Sequence, residues 1–182
     1  MTGYIALKGT SALAKQFKDQ LDEHFPGYLS RSALAFGTSD LADASNALEI
    51  INDYLGACSE ESREECCAVE IADGGLLTAL WELSKVCSCG FELDLRKIPV
   101  KQETIEICEL LEVNPYHLSS GGALIVIAPE GQALCERLKS AGVPAVIVGS
   151  TNETKAHTLL NDGTVSYINR PEPDELIRLG LL

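Results

Sequence analysis

The chain has 182 residues, enough for one domain with a real core, and its 46% hydrophobic content with only 5% aromatics makes that core aliphatic. A formal net charge of −13 argues against nucleic acid or an anionic membrane surface as a general partner. It leaves room for a local anion site, because backbone amides carry no formal charge.

In chain order, Tyr4-Ile5-Ala6-Leu7 reads as a short apolar strand, and a strand starting this early suggests a preceding segment in a longer parent. Thr10 or Ser11 is the expected cap of a helix that carries Leu13, Ala14, Phe17, Leu21 and Phe25 at helical spacing and stops at Pro26-Gly27. Residues 28–43 read as irregular. Ser45 to Leu55 reads as a helix with Ala47, Leu48, Ile51 and Leu55 on one side, and the acidic segment 60–65 as a solvated surface.

Cys66 to Ile71 is a strand candidate that runs through Asp73-Gly74-Gly75 into a helix, with Leu76, Leu77, Leu80 and Leu83 on one face. Asp73 is the expected N-cap, its carboxylate accepting from first-turn amides. That helix is expected to end near Cys87–Gly90. Phe91 to Leu95 alternates as a half-buried strand ending before Pro99, and Glu103 to Leu111 is helical. After an Asn114-Pro115 turn, Ser119-Ser120-Gly121-Gly122 leads into Ala123–Ala128, an apolar run typical of a central strand. A helix from Pro129-Glu130 through Leu138 precedes a second buried strand, Ala145–Val148. A hairpin follows, Thr158–Leu160 and Val165–Ile168 about Asn161-Asp162-Gly163, and Pro173-Asp174-Glu175-Leu176 opens a last short helix. The predicted fold class is α/β (α+β): a single domain over 1–182 with a mixed sheet and helices packed against it.

Nucleotide-binding and hydrolase signatures such as Gly-x-x-x-x-Gly-Lys-Ser/Thr, Gly-x-Gly-x-x-Gly, Gly-x-Ser-x-Gly and His-Glu-x-x-His are absent. Seven cysteines (Cys58, Cys66, Cys67, Cys87, Cys89, Cys108 and Cys135), an odd number without a signal peptide or long apolar span, point to a reducing cytoplasm. Cys87-x-Cys89 does not match the Cys-x-x-Cys metal knuckle, so no metal site is expected. His24 belongs at a helix end, and His157 starts a hairpin strand. Of the three histidines only His117 lies near a plausible site.

That site is the pair of glycine turns, Asp73-Gly74-Gly75 and Ser119-Ser120-Gly121-Gly122. Glycines at a helix start let a ligand approach the backbone, and the free amides there favour an anion such as phosphate. A tight strand-to-helix corner without a ligand explains the same residues, and the Asp73 carboxylate would repel a second anion unless a cation intervenes. If the two strands are neighbours, the turns line one crevice for a phosphate-bearing small molecule.

Asp73, Gly74, Gly75, Leu76, Ala79, Leu80, Glu82 and Leu83, then Ile98-Pro99-Val100, Cys108-Glu109-Leu110-Leu111, Asn114-Pro115, Gly122, Leu124 and Pro129, form an ordered pattern. It resembles the C-terminal domain of the aminoimidazole-ribonucleotide (AIR) synthetase superfamily, most of all its HypE-like hydrogenase-maturation relatives. The resemblance is strong from Val69 to Ala128, and Gly3–Gly9 is similar to the domain's opening strand. It implies a three-layer α/β/α sandwich. It also implies an N-terminal companion domain that dimerises and supplies the ATP and Mg ligands, while the C-terminal domain adds glycine-rich loops near the phosphates. The companion is absent from these residues, so no cofactor is expected on this chain and it should not hydrolyse ATP by itself. The chain also ends Arg178-Leu179-Gly180-Leu181-Leu182, without the terminal cysteine of HypE, and has no arginine before Gly74. A binding or assembly module that keeps the fold without the chemistry is the alternative, and a thiol or metal protein a third.

Overall fold

The computed structural model describes residues 1–36, 40–60 and 66–181. Four helices come first: α1 (Leu7–Gln16), α2 (Lys18–His24), α3 (Gly27–Ala35) and α4 (Asp40–Ala57). Then follow β1 (Cys67–Ile71), α5 (Gly75–Val86), β2 (Gly90–Asp94), α6 (Gln102–Leu110), β3 (Ala123–Ile127) and α7 (Gly131–Ser140). Last come β4 (Gly149–Asn152), β5 (His157–Asn161), β6 (Thr164–Tyr167) and α8 (Glu175–Arg178). Among the described residues no helix is long and apolar enough to cross a membrane.

Among the described residues the strands form two sheets. β1 pairs antiparallel with β3, placing Ile71 opposite Ala123. A mixed four-stranded sheet runs β4-β2-β5-β6, with β2 parallel to β5 and the other pairs antiparallel. β3 is apolar throughout because both its faces are covered. Ala123 and Ile125 join a core built from α1, α5 and α6, whereas Leu124 joins a second core with Ala47 and Ile51 of α4 and Leu134 and Leu138 of α7. This is the layered α/β arrangement that the sequence predicts. Leu76, Leu80 and Leu83 of α5 are fully buried in the first core, each contributing about 2 kcal/mol by removal from water.

Several local expectations need correction. Tyr4–Leu7 is not a strand: Gly3 and Ala6 take positive φ of 64° and 65°, and α1 already begins at Leu7. Neither Thr10 nor Ser11 caps it. The Ser119-Ser120 segment does so instead, accepting from Ala6 N–H at Ser120 Oγ (2.7 Å), Lys8 N–H at Ser120 O (2.9 Å) and Gly9 N–H at Ser119 O (2.8 Å). The helix expected to run to Phe25 is broken at Phe17, whose backbone leaves helical geometry between α1 and α2. Residues 28–35, read as irregular, belong to α3, which buries Leu29, Ser30 and Ala33. Packing against α1 outweighs its weak apolar period. The segment 61–65 lies outside the described residues, as do 37–39.

Ala145–Val148 is not a strand either. Its backbone bonds are split between two segments: Val146 exchanges hydrogen bonds with Met1 (2.9 and 3.0 Å), and Val148 O accepts from Asp94 N–H (2.8 Å). Thr2 is the stitch that bridges Leu124 on one side and Ala145 on the other. The strand forms just beyond, as polar β4 along the edge of the larger sheet. The hairpin turn agrees with its Asn161-Asp162-Gly163 signature, Asp162 and Gly163 taking φ of 47° and 79°.

Candidate functional site

Because β1 and β3 are neighbours, the two glycine turns that border them meet. Ser120 N–H donates to Ala72 O (3.2 Å) and Gly121 N–H to Ile71 O (2.9 Å). Asp73 does not cap α5. Its Oδ1 accepts from Ser119 Oγ (2.7 Å) and from Lys8 Nζ (2.9 Å), so the carboxylate reaches across to the second turn and to α1. Those bonds, Lys8 first and Ser119 second, hold its pKa below the usual carboxylate range. Lys8 offsets the charge of the Asp73 carboxylate at this corner.

The N-cap position of α5 belongs to Gly74, at φ 82° with no side-chain cap of its own. Its N–H donates to Asp174 Oδ2 at 2.7 Å, a contact spanning a hundred positions. The same carboxylate's Oδ1 accepts from Leu176 N–H (2.8 Å) and so starts α8. Gly75 N–H closes onto Ala72 O (3.2 Å). Within the second turn Ser119 and Ser120 are fully buried, Gly122 is buried and Gly121 is half-buried. The turn therefore has a structural inner half and an accessible outer half. His117 lies in a short 3-10 turn, Pro115–His117, and its buried Nδ1 has no hydrogen-bond partner among the described residues.

Beside Gly121 and Gly122 opens a recess of about 250 Å³, with Tyr4, Leu7, Lys101 and Pro144 among its walls. Lys101 Nζ stands 4.0 Å from the centre of the Tyr4 ring. A larger cavity of about 310 Å³ is lined mainly by aliphatic side chains such as Leu80, Ile125, Leu134 and Leu138, and touches neither turn. Sequence reasoning missed Lys8, Lys101, Tyr4 and Asp174. Only Asp174 had a local signal, as the start of a helix, and its bond to Gly74 had none.

Cys87 and Cys89 surround His157: Cys87 Sγ is 3.8 Å from His157 Nε2, and Cys89 O is 3.2 Å from it. Burial, followed by the neighbouring Cys89 and Cys67, pushes the Cys87 thiol up to about 11, so it stays protonated near neutrality and is a poor nucleophile there. Among the described residues no group of three or more His, Cys, Asp or Glu side chains is arranged to hold a metal ion.

Comparison with known proteins gives a consistent answer. The chain is 32% identical over 126 residues to the carbamoyl dehydratase HypE of Azotobacter vinelandii, covering 66% of this chain and 35% of that protein. The crystal structure of E. coli HypE, a hydrogenase maturation protein, superposes with a TM-score of 0.68 at 19% identity, over 97% of this chain and half of that one. A structure of HypE in complex with ATP superposes at 0.65 with 18% identity, over 94% of this chain and 50% of that one. At such identities the likeness is one of fold. The chain spans 25–35% of the length of the first curated relatives it matches and about half of these solved chains. The family model described as AIR synthase related protein, C-terminal domain, matches residues 10–160, most of the chain. The chain belongs to that family of AIR synthase related C-terminal domains.

Proposed function

We propose that this chain is the C-terminal domain of a HypE-like, ATP-dependent system linked to hydrogenase maturation. In this reading its two glycine turns complete a crevice for a phosphate-bearing small molecule. An ATP-binding companion domain forms the other wall, brings ATP and Mg, and carries any homodimer contact. In this reading Asp73, Gly74 and Gly121 border the crevice, and Gly75, Ser119, Ser120 and Gly122 hold the two turns in place around it. Support comes from one observation above all: the turns are joined directly, through Ser120 to Ala72 and Gly121 to Ile71. A reducing cytoplasm suits the seven thiols.

The test is calorimetric titration of ATP and of ribose 5-phosphate into this chain mixed with the ATP-binding half of a HypE relative, and into each part alone. Tighter binding by the mixture, lost with Gly121→Val, is expected. A mixture that binds no better than the companion alone overturns the proposal. That outcome favours the second reading, an assembly module without ligand chemistry. The occupied Gly74 amide and the buried Ser119 and Ser120 side chains speak for it.

A further inference from the structure

We infer that Cys87 and His157 form a binding site for one soft monovalent cation, copper(I), where the end of α5 meets the start of β5. The site uses none of the crevice residues and is independent of that reading.

Three atoms converge at this corner. Cys87 Sγ is 3.8 Å from His157 Nε2, and Cys89 O is 3.3 Å from the sulfur and 3.2 Å from the nitrogen. A carbonyl only accepts, so the thiol and Nε2–H both donate to Cys89 O. Metal bonds of about 2.3 Å to the sulfur and about 2.0 Å to the nitrogen close the 3.8 Å gap at an angle of roughly 120°. That open angle suits an ion of low coordination number, with the carbonyl as a weak third contact. Thiolate and imidazole are donors that copper accepts, and thiolate selects its monovalent form. Structural zinc requires a fuller set, and among the described residues no three His, Cys, Asp or Glu side chains gather to hold an ion. The Cys87-x-Cys89 spacing carries no metal signal because the second donor lies 70 positions away.

Both donors are fixed in advance. Cys87 is the C-cap of α5, its N–H bonded to Leu83 O (2.9 Å). His157 pairs with Phe91 of β2 and packs its ring on the Phe91 ring, centroids 4.8 Å apart, while its carbonyl accepts from Ile168 N–H (3.0 Å). Cys87 and His157 are half-buried, so an ion can enter, and a net charge of −13 draws a cation towards the chain. Loading exchanges one cation for one proton. The Cys87 thiol proton leaves to solvent as the sulfur binds copper(I). The Nε2 proton passes to Nδ1, so the imidazole stays neutral, and no electron is transferred. The loaded corner carries no more charge than before, which a half-buried position tolerates better than a bare thiolate.

The test is titration of copper(I) into the full chain, without oxygen and with a thiol-free reductant, in competition with a chromophoric copper(I) chelator. NMR follows the imidazole nitrogens of His157. One equivalent should bind, with the proton moving from Nε2 to Nδ1. Cys87→Ser and His157→Gln should each weaken binding by more than the roughly 10–100-fold that loss of an outer-shell partner costs. Cys66→Ser should leave it unchanged. Affinity lost with Cys66→Ser but kept with Cys87→Ser assigns the ion to the vicinal Cys66-Cys67 pair and overturns the site. Unchanged His157 signals, zinc(II) binding as tightly as copper(I), or a wild-type chain that takes no copper(I) from the chelator overturn it as well. If the melting temperature shows that Cys87→Ser does not fold, His157→Gln decides alone.

Discussion

Gly75 and Gly121 both take left-handed backbone, at φ 69° and 77°, yet they sit in opposite surroundings. A methyl group added to Gly75 would meet Tyr116 O at 2.6 Å and the Leu118 backbone at 2.8 Å. At Gly121 the nearest atoms belong to the Lys8 side chain, 3.8 Å away. The first glycine is required by the close passage of another backbone, and the second borders open space. A glycine turn therefore marks a joint or an opening according to what lies across from it, which composition does not reveal.

The sharpest challenge to this contrast is Gly75→Val. Overlap with fixed backbone plus left-handed strain should cost on the order of 4 kcal/mol in urea unfolding. Gly121→Ala, which meets only the strain, should cost about 1 kcal/mol. Equal losses would erase the distinction. Next comes Ser120→Ala, which removes the acceptor for the buried Ala6 N–H and should cost about 2 kcal/mol by the same measurement. A loss near zero would mean that the inner half of the second turn is not structural.

The smallest effect is expected at the solvent face. Lys8→Met should change stability by no more than about 0.5 kcal/mol, because Lys8 and Asp73 are 57% and 66% exposed. The sign with pH follows from the lowered pKa of Asp73: its contribution is present above the ordinary carboxylate range and is lost as pH falls through its depressed value. The difference between Lys8→Met and the wild type should therefore vanish in acid. A difference that persists at low pH would show that the lysine acts through its packing.

Much of this fold was legible because apolar period decides it. Leu76, Leu80 and Leu83 had to share a buried face, and the Ala123–Ile127 run had to be covered on both sides. The failures share a cause as well. The start of α1 is set by carbonyls and a hydroxyl more than a hundred positions away, and the backbone partners of Val146 and Val148 lie in Met1 and Asp94. β4, Gly-Ser-Thr-Asn, carries no apolar alternation because it is an edge. The candidate site was half legible. The glycines announced the turns, whereas the cations near them come from unrelated parts of the chain and carry no motif.

The bond from Gly74 to Asp174 has a consequence for any anion that arrives at the start of α5. The amide is not vacant, so the newcomer must displace a carboxylate that is tethered within the same molecule. Its net gain is a difference between two anions at one donor. Displacement would free one oxygen of the carboxylate whose other oxygen holds Leu176 N–H at the start of α8. Occupancy at this corner is thereby set against the anchoring of α8 to the start of α5, through competition for a single hydrogen bond.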